Sequence, residues 1–115
     1  MEINERIRLN QSFLIAEDGK FLGKLSLSKY DLESISNDYG LYGSRYSLSS
    51  IKNPYGLYGS IYGLQSPNNP YSLSPPHIYL RGVKCGYLTK NKYKLGNNLD
   101  PDSLDSWMKR NNLNY

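Results

Sequence analysis

Apolar and polar positions alternate around two glycine-centred steps. Leu14-Ile15-Ala16 and Phe21-Leu22 flank Asp18-Gly19, while Ile78-Tyr79-Leu80 and the stretch from Val83 to Leu88 flank Arg81-Gly82. Each segment reads as strand, turn, strand, with Asp-Gly the stronger hairpin signal of the two. They align at a constant offset of 63 residues, from Leu14/His77 through Gly19/Gly82 and Leu25/Leu88 to Tyr30/Tyr93 and Leu32/Leu95. A two-stranded hairpin alone is marginal in water. The two hairpins are therefore expected to pair in one small antiparallel sheet, with Leu22/Cys85 and Leu25/Leu88 as matched core positions.

Between the hairpins the pattern changes to a longer period. Tyr30, Tyr46 and Tyr62 are sixteen residues apart and open three related units. The first two end in Tyr39-Gly40-Leu41-Tyr42-Gly43-Ser44 and Tyr55-Gly56-Leu57-Tyr58-Gly59-Ser60, and the third is degenerate and runs into Pro75-Pro76. Asn53-Pro54-Tyr55-Gly56 is a turn sequence, because Asn accepts a local backbone hydrogen bond, Pro presets φ and Gly tolerates positive φ. The region predicts an array of turns and short strands, with no helix. Tyr30, Tyr46 and Tyr62 are expected to stack inward, since their spacing marks the architecture itself.

One helix is predicted, over residues 98–112. Asp100 suits the N-cap and Pro101 the first helical position, acids crowd the first turn and bases the last. Leu104, Trp107 and Met108 fall at i, i+3 and i+4 and form the packing face. The whole reads as a mainly β single domain over 1–115: an N-terminal strand and hairpin (1–29), the sixteen-residue repeat array (30–76), a second hairpin (77–95) and the C-terminal helix.

Composition refines this picture in one respect. Twelve Tyr stand against two Phe and one Trp, so much of the apolar surface carries a hydroxyl that needs a partner or water. The chain shows no signal-peptide pattern and no run of about 20 apolar residues. The single cysteine, Cys85, fits a reducing compartment, and the expected location is cytoplasmic with no membrane span. The net charge of +4 is local in origin: residues 77–95 hold Arg81, Lys84, Lys90, Lys92 and Lys94 and no acid.

Taken together, Asp18-Gly19-Lys20-Phe21-Leu22-Gly23, the paired Tyr-Gly-Leu-Tyr-Gly-Ser ends, Asn53-Pro54-Tyr55-Gly56, Asn69-Pro70-Tyr71 and Gly86-Tyr87-Leu88-Thr89 resemble a group of small bacterial proteins with NPYGxYGS-type repeats. The resemblance spans roughly residues 14–104 and implies no activity and no site residues. Asn37-Asp38 departs from its Asn-Pro pattern, and Arg81-Gly82 from its acidic-Gly turn.

The chemistry-bearing residues do not assemble into a catalytic pattern. His77 and Cys85 lack a third orienting residue, and Asp100, Asp102 and Asp105 lack the glycine and terminal glutamate of a Ca²⁺ loop. Neither a P-loop nor a CxxC pattern occurs. No cofactor, metal or enzymatic activity is expected. The expected function is binding, to a protein, through Tyr39, Tyr42, Tyr55 and Tyr58. The alternative is a nucleic acid or other polyanion held by Arg81, Lys84, Lys90, Lys92 and Lys94 with interleaved Tyr rings, and a second alternative is a sugar or cell-envelope ligand on the Tyr rings. Exposed strand edges would also permit pairing between copies.

Overall fold

The computed structural model describes residues 1–114. The apolar alternation around Asp18-Gly19 forms β1 (Phe13–Ile15) and β2 (Phe21–Lys24), and that around Arg81-Gly82 forms β3 (His77–Leu80) and β4 (Val83–Leu88). The second turn is tight: Leu80 pairs with Val83, and both residues between them take positive φ, 49° at Arg81 and 82° at Gly82. β1 and β3 join the hairpins, antiparallel, with Leu14 opposite Ile78. Both side chains are almost fully buried, as are Leu22, Leu25 and Leu88.

The sheet departs from the antiparallel expectation at one edge. β5 (Asn98–Leu99) lies parallel to β4, so the five strands form a mixed sheet in the order β2-β1-β3-β4-β5. Cys85 also departs from its expected core position: it is exposed on β4 while its counterpart Leu22 is buried. Both hairpins carry a register irregularity at this position, between Leu14 and Ile15 and between Ile78 and Tyr79, so the difference comes from what packs on each: Leu22 joins the core cluster and Cys85 does not.

The N-terminus forms a helix, α1 (Ile3–Arg8), in place of the expected strand. Its innermost residue is Arg6, only 2% exposed. The guanidinium lies 3.6 Å from the centre of the Phe21 ring and donates to both Glu33 carboxylate oxygens and to Gln11 Oε1. A buried cation needs such partners. At the other end Asp100 accepts from the Asp102 N–H and caps a 3₁₀ turn (Pro101–Ser103), which leads into α2 (Leu104–Arg110). Leu104 and Met108 are buried and Trp107 packs beside them, so the helical face falls where its spacing predicts, within narrower bounds than 98–112.

The segment between the hairpins contains turns and no strands among its described residues, apart from one bridge from Lys24 to Ser34. Its backbone bends at nearly every third residue. The N–H of Ser34 donates to Asp31 O, Asn37 to Ser34, Gly40 to Asn37, then Ser50 to Ser47, Asn53 to Ser50, Gly56 to Asn53, Gly63 to Ser60, Ser66 to Gly63, Asn69 to Ser66 and Ser72 to Asn69. Ser44 and Ser60 instead reach back four residues, to Gly40 and Gly56. Four steps of three and one of four make sixteen, which is the physical content of the Tyr30/Tyr46/Tyr62 period. Ser, Asn, Asp and Gly occupy the corners because their short side chains capture the N–H two residues on, or because they have none. Ile35, Ile51 and Pro67, again sixteen apart, turn into the core.

Candidate functional site

The corners decide which way each tyrosine points. In seven places a corner Ser or Asn side-chain oxygen accepts the backbone N–H of a tyrosine two residues later: Ser28 for Tyr30, Asn37 for Tyr39, Ser44 for Tyr46, Asn53 for Tyr55, Ser60 for Tyr62, Asn69 for Tyr71 and Asn91 for Tyr93. Every one of these rings is turned to solvent, between 82% and 99% exposed. Each is followed two residues on by a leucine that is itself at least 50% exposed: Leu32, Leu41, Leu48, Leu57, Leu64, Leu73 and Leu95. Scattered exposed apolar residues are ordinary. The seven Tyr-x-Leu pairs share one local construction, an exposed ring on backbone that a corner Ser or Asn side chain fixes.

The corner asparagines also hold this surface from within. Asn37, Asn53 and Asn69 are buried, and each donates its Nδ2 to a carbonyl six residues back, on Asp31, Ser47 and Gly63. The rings they orient flank shallow grooves. Tyr30 and Tyr39 border one of about 360 Å³ around Asn37. Tyr62 and Tyr71 border another of about 530 Å³ around Asn69 and Pro70.

This arrangement corrects the expected inside and outside of the tyrosines. Tyr30, Tyr46 and Tyr62 are exposed rather than stacked in a core. Tyr39 and Tyr55 are exposed as expected, but Tyr42 is half-buried, its ring edge-on to Phe21 at 4.9 Å, and Tyr58 is buried. The Tyr58 hydroxyl donates to Asp18 Oδ2 at 2.7 Å. Burial and the Asp18 hydrogen bond push the Tyr58 pKa up to about 12. Partial burial would raise Asp18, but hydrogen bonds donated by the Tyr58 hydroxyl and the Lys20 N–H outweigh it and hold the carboxyl below its ordinary value. A raised phenol pKa stabilises the fold below the unfolded value near 10, and that contribution is lost as pH rises towards about 12. Tyr58→Phe should cost about 1 kcal/mol near neutrality and flatten the fall of melting temperature across that alkaline window; an unchanged alkaline limb would mean the hydrogen bond contributes nothing.

The basic residues have different partners. Lys90 forms ion pairs with Asp102 (2.6 Å) and Asp100 (3.3 Å), acids supplied by the helical region. The hydrogen bond that Lys90 donates to Asp102 does most to raise the Lys90 pKa, and the one it donates to Asp100 adds to it. Lys84 and Lys94 both lie over the Tyr87 ring, at 5.1 and 4.7 Å. Arg81 turns away at the hairpin tip and donates to Asn111 O. Lys92 is exposed beside Tyr93. Residues 89–94 lie past the end of β4, so Lys90, Lys92 and Lys94 share no strand face.

His77 opens β3 and contacts Glu17 through Nε2. In the ladder it faces Tyr87, not Cys85. Partial burial of the Cys85 sulfur pushes its thiol pKa up. No group of three or more His, Cys, Asp or Glu among the described residues is placed to hold a metal ion, and Asp105 pairs with Lys109. No described helix is long and apolar enough to cross a membrane.

Sequence reasoning caught the sixteen-residue period but missed the Tyr-x-Leu pairs. Their signal was present: within the units the tyrosines recur at alternating separations of nine and seven residues, each two residues after a Ser or Asn. No family model, curated protein or solved structure matches this chain.

Proposed function

We propose that this chain is a non-enzymatic interaction module of the cytoplasm that binds a protein through its Tyr-x-Leu surface. The observation that carries the reading is the exposure of seven tyrosine rings on backbone held at corners by Ser and Asn side chains. Tyrosine gives large contact area for little rotamer entropy, and the adjoining hydroxyl and amide groups supply a polar rim. Pre-organised rings lower the ordering cost of association. Sixteen-residue units presenting the same groove in tandem would add avidity to a repetitive partner.

The test is capture from native lysate, with and without nuclease, by three proteins: wild type, Tyr39→Ser/Tyr55→Ser/Tyr71→Ser, and Lys84→Gln/Lys92→Gln/Lys94→Gln. These side chains lie mostly at the surface, so all three proteins are expected to melt alike. A protein partner retained by the lysine variant and lost by the tyrosine variant supports the reading. Recovery that vanishes with nuclease, falls steeply with salt and fails in the lysine variant would replace it with polyanion binding. Retention of glycan in place of protein would assign the rings to a sugar.

A further inference from the structure

The groove between Tyr62 and Tyr71 is open in its apolar surface and closed in its polar groups. Ile61, Tyr62, Pro70 and Tyr71 line it and are all exposed, at 56% for Ile61 and 82% for each ring. The asparagines at its base are already engaged. Asn69 donates its Nδ2 to Gly63 O and accepts the Tyr71 N–H on its Oδ1, and Asn68 donates its Nδ2 to both Ile51 O and Gly59 O. Backbone donors are spent as well: Ser60 Oγ takes the Tyr62 N–H, Ser66 Oγ that of Asn68, and carbonyls those of Gly63 and Asn69. Pro70 has no N–H to offer. Lys90 is the one ionic residue of the lining, and Asp102 and Asp100 hold it at 2.6 and 3.3 Å. What a partner meets is ring and aliphatic surface with two phenol hydroxyls at the rim, and no free charge.

We infer that this groove takes an uncharged, proline-rich segment of a partner protein in the polyproline II conformation. The inference rests on the reading of the tyrosine surface as protein-binding, and it names the chemistry of the partner. A groove without free charge complements a segment without charge. An added β-strand would need the backbone donors that the corners have consumed. A helix bonds its own carbonyls internally and would leave the hydroxyls unused. A sugar brings many hydroxyls, and the asparagines have no amide hydrogen bonds left to match them. A polyproline II segment has no internal hydrogen bonds, so its carbonyls face outward and can accept from Tyr62 and Tyr71. Its prolines bring no N–H that the groove must satisfy, their rings pack on the tyrosine faces, and their stiffness lowers the ordering cost of association.

Decaproline is the probe, titrated into the whole chain by calorimetry, with a glycine-serine peptide of equal length and maltohexaose as comparisons. Saturable binding of decaproline is expected, insensitive to salt, with the two comparisons bound weakly or not at all. Tyr62→Ala/Tyr71→Ala should weaken it about tenfold or more. Tyr62→Phe/Tyr71→Phe keeps the rings and removes the donors, and should weaken it about fivefold. Both variants change exposed side chains, and their melting temperatures should match wild type. The inference is overturned if decaproline does not saturate by about 1 mM, if the glycine-serine peptide binds as well, or if either variant binds undiminished. Capture of a lysate protein through the tyrosines by a chain that ignores decaproline would overturn this inference alone and leave the interaction-module reading standing. Saturable binding of maltohexaose, abolished by the same alanine changes, would overturn both.

Discussion

Gly59→Ala should destabilise the fold by roughly 3 kcal/mol or more, enough to unfold a marginal chain. An added Cβ would sit 2.2 Å from the carbonyl oxygen of Asn53 and 2.9 Å from its carbonyl carbon and nitrogen. That backbone cannot retreat cheaply. Asn53 O accepts from Gly56 N, its Oδ1 from Tyr55 N, and its Nδ2 donates to Ser47 O. Gly43, sixteen residues earlier, meets Asn37 O at 2.1 Å in the same way, so Gly43→Ala should behave alike. Gly19→Ala is the control: nothing lies within 4 Å of its Cβ and only the φ of 91° opposes alanine, a cost of about 1 kcal/mol. Urea denaturation of the three variants decides the matter. A Gly59→Ala midpoint equal to that of Gly19→Ala would show that the turns slide apart freely and that the sixteen-residue units are not rigidly seated.

Arg6→Ala should cost about 3 kcal/mol, because it leaves a cavity beside Phe21 and removes the charge that faces Glu33. Glu33→Gln should cost less, about 1 kcal/mol, since the carboxylate is partly solvated and the amide still offers one acceptor. The two together, replaced by Met at both positions, should recover much of the loss, because a well-packed apolar pair avoids desolvating charge. The hydrogen bond from Arg6 holds the Glu33 carboxyl below its ordinary 4.5, and that from Lys24 lowers Asp31 likewise. Depressed carboxyl pKa values stabilise the fold fully above the unfolded values and lose that contribution as pH falls through the folded ones. Melting temperature should therefore drop on acidification below about pH 4.5, less steeply in Glu33→Gln. An identical acid limb in wild type and Glu33→Gln would place the acid-sensitive group elsewhere.

Features set by neighbours in the chain were legible from the residues alone. Asp18-Gly19 marked a hairpin because φ of 91° at Gly19 is a local demand of the turn. Asp100 marked a helix start because its carboxylate reaches an N–H two residues on, and Leu104 and Met108 marked the packing face because helical spacing puts them together. The sixteen-residue period was legible for the same reason: it counts corners, and a corner is a hydrogen bond across three or four residues.

What the period left open is which member of each unit faces inward. Tyr30 and Tyr58 are chemically the same side chain, and each belongs to a set spaced by sixteen residues. One is 92% exposed and the other 8%, and the difference lies in where each falls around the coil relative to Ile51 and Asp18. The N-terminal helix was concealed because its innermost residue is a charged one, and Arg6 can be buried only where Phe21 and Glu33, distant in the chain, meet it. Lys90 read as free charge because Asp100 and Asp102 lie ten and twelve residues on; Cys85 read as core because its matching position, Leu22, is buried, and only the folded chain leaves nothing packed over β4 there. Local hydrogen bonds and periodic spacing are properties of the sequence by itself. The sign of exposure at each tyrosine, the parallel seating of β5 and the neutralisation of each charge depend on contacts between distant segments, which exist only once the chain has folded.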